Sequence, residues 1–261
     1  MVEGKVTISD LDKVYGTGAE RTKAIDNLSH EVPSGEFLSV VGPSGCGKST
    51  LLYLIAGFLD ESEGTITVDG DPISGPGTDR GVVFQDYALF PWRTVMGNVT
   101  YGLEQKGMNK EEQQTRAQRF IDMMDLDGFE DKYPKELSGG MKQRVSLART
   151  LAYDPKILLM DEPFGALDQP LRELLQEQLL DIWRDLNKTV IFITHDVEEA
   201  VYLSERVMVM TRHPGTKKES FEIDLDRSKS REDVIISDEY TDMKNKVWKS
   251  LREETNHNRE I

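Results

Sequence analysis

Gly42-Pro43-Ser44-Gly45-Cys46-Gly47-Lys48-Ser49-Thr50 is the stretch from which the rest of the chain can be read. It fits G-x-x-x-x-G-K-[ST], with Gly42, Gly47, Lys48 and Ser49 at the fixed positions. The apolar run Phe37 to Val41 before it reads as a buried strand. Leu51 to Ala56 after it reads as a helix closed by Gly57. In a strand–loop–helix setting, glycines let successive backbone N–H groups turn inward around a phosphate. The helix N-terminus adds the positive end of its dipole. Lys48 is placed to reach β- and γ-phosphates, and the Ser49 hydroxyl to bind Mg²⁺. A glycine-rich turn matching by chance would not also bring strand, lysine and hydroxyl into register.

The chain has 261 residues, enough for one large domain or one domain with appendages. Hydrophobic residues make up 38% and charged residues 30%, as in a globular protein. No apolar run reaches membrane-spanning length and the N-terminus does not read as a signal peptide, so a cytoplasmic location is expected. The lone cysteine, Cys46, lies inside the phosphate loop, where it reads as a small residue in a tight turn. The net charge of −15 argues against nucleic acid as a main partner. It does not argue against ATP, because the phosphate site is locally cationic.

Ahead of the loop, Gly4 to Tyr15 alternates apolar and polar residues, and Ala24 to Val32 reads as a second strand. Together they suggest a small antiparallel layer. Tyr15 is placed to stack on an adenine, although an ordinary edge-strand tyrosine fits equally well. Further on, Gly81 to Gln85 reads as a buried strand, and Asp86 to Trp92 as a loop whose aromatics suggest a partner surface. Residues 109–126 carry a capping-box signature and an apolar face at helical spacing. Residues from about 87 to 150 therefore read as a helical subdomain. The runs Ile157 to Asp161, Thr189 to Thr194 and Arg206 to Met210 are apolar strands alternating with helices, which points to an α/β fold with a mostly parallel sheet. His213-Pro-Gly215 marks a boundary. Residues 213–261 read as a tail packed on the core, with Met243, Val247, Trp248 and Leu251 facing inward from a polar helix.

Asp161 and Glu162 end a buried strand, where nucleotide sheets place acids near the phosphate loop. Asp161 suits Mg²⁺, and Glu162 suits polarising an attacking water. His195 follows another strand. A lone histidine is usually structural, but at this place it is a candidate for contacting the γ-phosphate. Gln85 is a candidate for Mg²⁺ or the attacking water. Leu137-Ser138-Gly139-Gly140-Met141-Lys142-Gln143-Arg144 offers free N–H groups at the start of a helix expected from Met141, a second anion site with no strand before it.

With this octapeptide the sequence resembles the ATP-binding-cassette ATPases. The resemblance runs over roughly residues 4 to 212, through Tyr15, the phosphate loop, Gln85, the octapeptide, Ile157 to Glu162, Ala166-Leu-Asp168 and His195, and no motif position departs from the pattern. It implies a P-loop NTPase (RecA-like) core of mostly parallel sheet, with an antiparallel β subdomain and an inserted helical subdomain, over residues 1–212. It implies two cassettes dimerising head to tail, each ATP lying between the loop of one and Ser138, Gly139 and Gly140 of the other, with Asp168 also across the dimer. The implied roles are Tyr15 on adenine, Gly42 to Thr50 and Lys48 on the phosphates, and Ser49, Gln85 and Asp161 at Mg²⁺. Glu162 would be the base and His195 the γ-phosphate sensor.

Phe84 to Val99, Met160 to Asp168 and Ile193 to Ala200 are similar to the importer cassettes for nitrate, sulfonate, taurine and bicarbonate. That resemblance implies an ATPase at the cytoplasmic face of the membrane, partnered by integral-membrane permease subunits, a second cassette and, indirectly, a solute-binding protein. Two other readings stand beside it: a soluble cassette acting in DNA repair or translation, and a cassette of an exporter or lipid-trafficking complex. The first usually carries two cassettes or a long coiled-coil insertion, which this sequence lacks. The short aromatic loop after Gln85 favours an importer over the second.

Overall fold

The computed structural model describes residues 3–256. Residues 1–2 and 257–261 of the two expected regions lie outside them. Two sheets organise the chain. The smaller is antiparallel, in the order β2-β1-β4-β5, from β1 (Val6–Tyr15), β2 (Thr22–Val32), β4 (Glu63–Val68) and β5 (Asp71–Pro72). The larger has six strands in the order β10-β9-β3-β8-β7-β6, from β3 (Phe37–Val41), β6 (Arg80–Val83), β7 (Ile157–Asp161), β8 (Thr189–Ile193), β9 (Arg206–Met210) and β10 (Lys217–Glu222). Five of these run parallel and only β10 is antiparallel.

The central strands are apolar throughout because both faces are covered. Successive side chains alternate between two cores. Ile157, Leu159, Ile191 and Ile193 face the antiparallel sheet and α1 (Lys48–Ile55). Leu158, Met160, Val190 and Phe192 face the other core, which takes in α2 (Val95–Gln105), α3 (Lys110–Met123), α4 (Gly139–Ala152), α5 (Gln169–Leu186) and α6 (Val197–Leu203). The helix α1 is thus held between the two sheets, with Leu51, Leu52, Leu54 and Ile55 buried. Among the described residues this is a P-loop NTPase fold, with α2, α3 and α4 packed on one another beside the sheet.

Four details differ from the sequence reading. The strand β6 ends at Val83, so Gln85 lies two residues past it and is exposed. Helix α4 starts at Gly139, not Met141, because Ser138 is its N-cap and accepts a hydrogen bond from the Met141 N–H. The segment after 212 is not only a packed tail, since β10 extends the main sheet beside β9. Finally, in α8 (Asp238–Asn256), which follows the short α7 (Arg231–Ile235), Val247 and Tyr240 are buried but Trp248 is 51% exposed beneath Arg252. The helix turns its inward face one position away from Trp248. Of the aromatic loop, Phe90 folds back on Tyr101, with centroids 4.5 Å apart, and Trp92 stands out in solvent at 72% exposure.

Candidate active site

Parallel strands put their C-terminal ends on one edge. Ile193 lies opposite both Val40 and Asp161, so the turns after β3, β7 and β8 meet there. The phosphate loop fills the first of these turns. Gly47 caps α1 in the left-handed region at φ 98°, and a Cβ there would press on the Ala24 carbonyl. Gly45, also left-handed, opens on free space. Lys48 is buried and curls back over the loop, donating to the carbonyls of Gly42 at 2.8 Å and Pro43 at 3.1 Å. Its ammonium therefore already lies inside the curve of N–H groups. Cys46 sits beneath, and burial pushes its thiol up from its ordinary range, opposed by the Lys48 charge.

A cleft of about 640 Å³ opens over the loop, walled by Ser44 to Thr50, Glu162 and His195, with Ala24 and His213 at its rim. The Ser49 hydroxyl donates to Oδ1 of Asp161 at 3.1 Å. Burial raises the Asp161 carboxyl above its ordinary range, and hydrogen bonds from Ser49 and Tyr53 oppose that shift. Tyr53 was not singled out from sequence, yet it stands four residues after Ser49, on the same helix face, and that spacing was the available signal. Ser49 and Asp161 together are a hard-oxygen donor pair beside the phosphate loop, which fits Mg²⁺.

Glu162 follows at φ 44°, in the left-handed region, its N–H donating to the Ile193 carbonyl at 2.9 Å. Its carboxylate reaches Nδ1 of His195, 3.0 Å from Oε2. Both Oε2 of Glu162 and Nε2 of Gln85 lie within 4 Å of where a Cβ on Gly165 would stand. Glu162 and His195 therefore meet at the wall of the cleft, with Gln85 close behind Glu162. Tyr15 lies at its flank, half exposed, its hydroxyl donating to Oγ1 of Thr50 at 3.3 Å and Lys13 over its ring. This arrangement can cradle a polyphosphate, hold a divalent cation at its base and present a carboxylate to a water at its mouth.

Ser138, Gly139, Gly140 and Asp168 are not part of that cleft. They lie together elsewhere: a Cβ on Gly140 would meet Leu171, in the first turn of α5, whose N-cap is Asp168. The two helix starts form one surface, apart from the phosphate loop.

Comparison with known proteins agrees with this architecture. The ABC transporter family model matches residues 25–165. The chain belongs to the ABC transporter family. It is therefore an ATP-hydrolysing, nucleotide-binding cassette. It is 52% identical over 250 residues to an uncharacterized ABC transporter ATP-binding protein of Methanocaldococcus jannaschii, covering 96% of this chain and 92% of that one. It is 50% identical to the nitrate import ATP-binding protein of a Synechocystis species, over 84% of this chain and 82% of the relative. The taurine import ATP-binding protein of Yersinia pestis is 52% identical over 74% of this chain and 75% of its own. Among solved structures, an ATP-binding cassette determined as a dimer in a post-hydrolysis state with ADP and Pi superposes with a TM-score of 0.75 at 33% identity, over 84% of this chain and 99% of that one. A component of the ABC transporter complex cbiONQ from Clostridium perfringens matches equally well, with a TM-score of 0.75 at 27% identity, over 83% of this chain and 88% of that one.

Proposed function

We propose that the chain is the energy-coupling ATPase of a binding-protein-dependent importer for small anions of the nitrate, sulfonate, taurine or bicarbonate type. It works at the cytoplasmic face of the membrane with integral-membrane permease subunits and a second cassette, and a solute-binding protein delivers the cargo. The importer class is supported by the nitrate and taurine import relatives. No helix among the described residues is long and apolar enough to cross a membrane, which fits a peripheral subunit. The groove for the permease is the one of about 360 Å³ behind the aromatic loop, walled by Phe58, Phe84, Phe90, Tyr101 and Arg149. It suits an amphipathic helix.

The observation that carries the catalytic reading is the convergence of Lys48, Glu162 and His195 on one cleft, with Asp161 joined to it through Ser49, while Ser138 to Gly140 stand outside it. Gly42 to Thr50 bind the phosphates through their N–H groups, and Lys48 transfers its hydrogen bonds from loop carbonyls to the β- and γ-phosphates. Tyr15 stacks the adenine. Ser49, Asp161 and Gln85 would hold Mg²⁺, whose chemistry is to neutralise phosphate charge. Glu162 takes the proton of the attacking water, and His195 meets the γ-phosphate from the far side. Ser138, Gly139, Gly140 and Asp168 complete the site of the facing cassette. Phosphoryl transfer asks for positioning and charge stabilisation, and these residues offer both. Glu162→Gln tests the assignment: ATP binding persists, measured by equilibrium dialysis, and turnover falls about 10²–10⁴-fold. Unchanged turnover would remove Glu162 from its role.

A further inference from the structure

Glu199 is a carboxylate shut inside the protein, only 7% exposed, and it takes no part in the cleft. It points inward from the first turn of α6, while its neighbour Glu198 points outward to Lys244 of the C-terminal helix. Its two oxygens are both engaged. Oε2 accepts from the Thr194 hydroxyl, and Oε1 accepts from the Gln176 amide at 2.8 Å. The Thr194 oxygen itself accepts from the Asp196 N–H at 3.0 Å, and the Thr194 N–H donates to the Val40 carbonyl at 3.3 Å, two residues before the phosphate loop. The Asp196 carboxylate caps α6 and lies 3.7 Å from Arg172, whose other arm donates to the Leu167 carbonyl at 3.0 Å, beside Asp168.

His195 sits between Thr194 and Asp196. Its ring is 68% exposed, with the carboxylate of Glu162 as its recorded hydrogen-bond contact. With most of the ring in solvent, its place over the cleft depends on the Glu162 contact and on the backbone of the turn. A hydroxyl carries one proton. With that proton given to Glu199, both lone pairs of the Thr194 oxygen are free to accept from Asp196, which closes the turn. A residue at 199 that accepts nothing would leave the Thr194 and Gln176 donors buried and unpaired, a cost the turn would relieve by moving.

We propose that Glu199 is a positioning residue for His195: through Thr194 and Asp196 it holds the turn that aims the imidazole at the cleft. The inference rests on the reading of His195 as the group that meets the γ-phosphate. Gln176 predicts which substitution is tolerated. Its Oε1 is buried without a partner, so turning its amide over presents that oxygen to a glutamine at 199, whose own oxygen still accepts from Thr194. Glu199→Gln should therefore keep the turn, and Glu199→Ala should lose it.

The test uses the full chain with ¹³C-labelled histidine, the His195 Cε1–Hε1 signal being assigned by its loss in His195→Ala. In Glu199→Ala the His195 signal shifts and broadens, ATP affinity stays within a few-fold, and kcat falls roughly 10–100-fold with little change in KM. Glu199→Gln restores both signal and rate. Thr194→Val, which removes the hydrogen bonds from Thr194 to Glu199 and from the Asp196 N–H to Thr194 without emptying the site, repeats the loss if Glu199→Ala fails to fold. A His195 signal unmoved in Glu199→Ala, or in Thr194→Val, overturns the inference. A signal that moves while His195→Ala hydrolyses ATP at the wild-type rate overturns instead the reading of His195 on which the inference rests.

Discussion

Nδ1 of His195 lies 3.0 Å from Oε2 of Glu162, across the gap between the turns that follow two neighbouring strands. The pair stands at the mouth of the cleft, where the γ-phosphate of a nucleotide bound by Gly42 to Thr50 would arrive. Removing the imidazole takes away the partner of Glu162 and, on the proposed reading, one contact to the γ-phosphate. His195→Ala should bind ATP as the wild type does and hydrolyse it about 10²-fold more slowly. Stopped-flow binding and phosphate release on the same preparation check both halves.

The loop depends on one left-handed residue. Gly47→Ala puts a Cβ at φ 98° and against the Ala24 carbonyl, which has no room to withdraw because β2 holds it. The cost is roughly 1–2 kcal/mol from the backbone alone. Because the strain falls where α1 begins, ATP affinity should drop more than stability does. Thermal melts with and without ATP read the two effects separately: the melting shift produced by ATP in the wild type should largely vanish.

His30 gives the pH dependence its sign. Its burial, with Lys217 and Arg206 nearby, holds the imidazole down to about 4 from an ordinary 6.5, and Glu31 opposes this only in part. The unfolded chain takes up the proton near 6.5 and the folded chain does not. This contribution to stability is therefore complete above about 6.5 and is lost as the pH falls towards 4. His30→Gln cannot titrate. Between pH 7 and pH 4.5 the wild type should lose roughly 1–2 kcal/mol more than the variant, allowing for the partial exposure of the ring. Urea unfolding of both proteins at the two pH values measures the difference.

The strands around the site were legible because burial on both faces demands unbroken apolar runs, as in Ile157 to Met160 and Val190 to Ile193. The phosphate loop was legible because its glycines, lysine and hydroxyl have no other common use. β10 was not seen as part of the main sheet, since Lys217-Lys-Glu-Ser-Phe-Glu222 is an edge strand and carries little apolar signal. Trp248 misled because a large aromatic beside Val247 looks like core, whereas helix phase gives the buried place to Val247. Glu198 and Glu199 are indistinguishable in sequence, and only packing decides that one is in solvent and the other inside. That Ser138 to Gly140 lie outside the cleft follows from the way α4 and α5 pack, which no local pattern announces.

Trp92 is exposed and touches Phe90 at the entrance of the groove assigned to the permease, with ring centroids 5.7 Å apart. Trp92→Ala should leave the melting temperature and the ATPase rate of the isolated cassette unchanged, because little of the ring is buried. Its effect should appear only in the assembled transporter, as loss of co-purification with the membrane subunits. Full co-purification would place the permease elsewhere on the cassette.

In the proposed dimer each ATP is enclosed by the phosphate loop of one chain and the Ser138 surface of another. A mixing experiment tests this most directly. Lys48→Ala spoils the loop and Ser138→Arg spoils the facing surface, so each variant alone should be almost inactive. In a mixed dimer, one site joins the intact loop of the Ser138→Arg chain to the intact Ser138 of the Lys48→Ala chain. Mixing the two inactive proteins should therefore restore ATP hydrolysis, to a maximum near equal proportions. Full activity of Ser138→Arg by itself, or no recovery on mixing, would contradict the shared site.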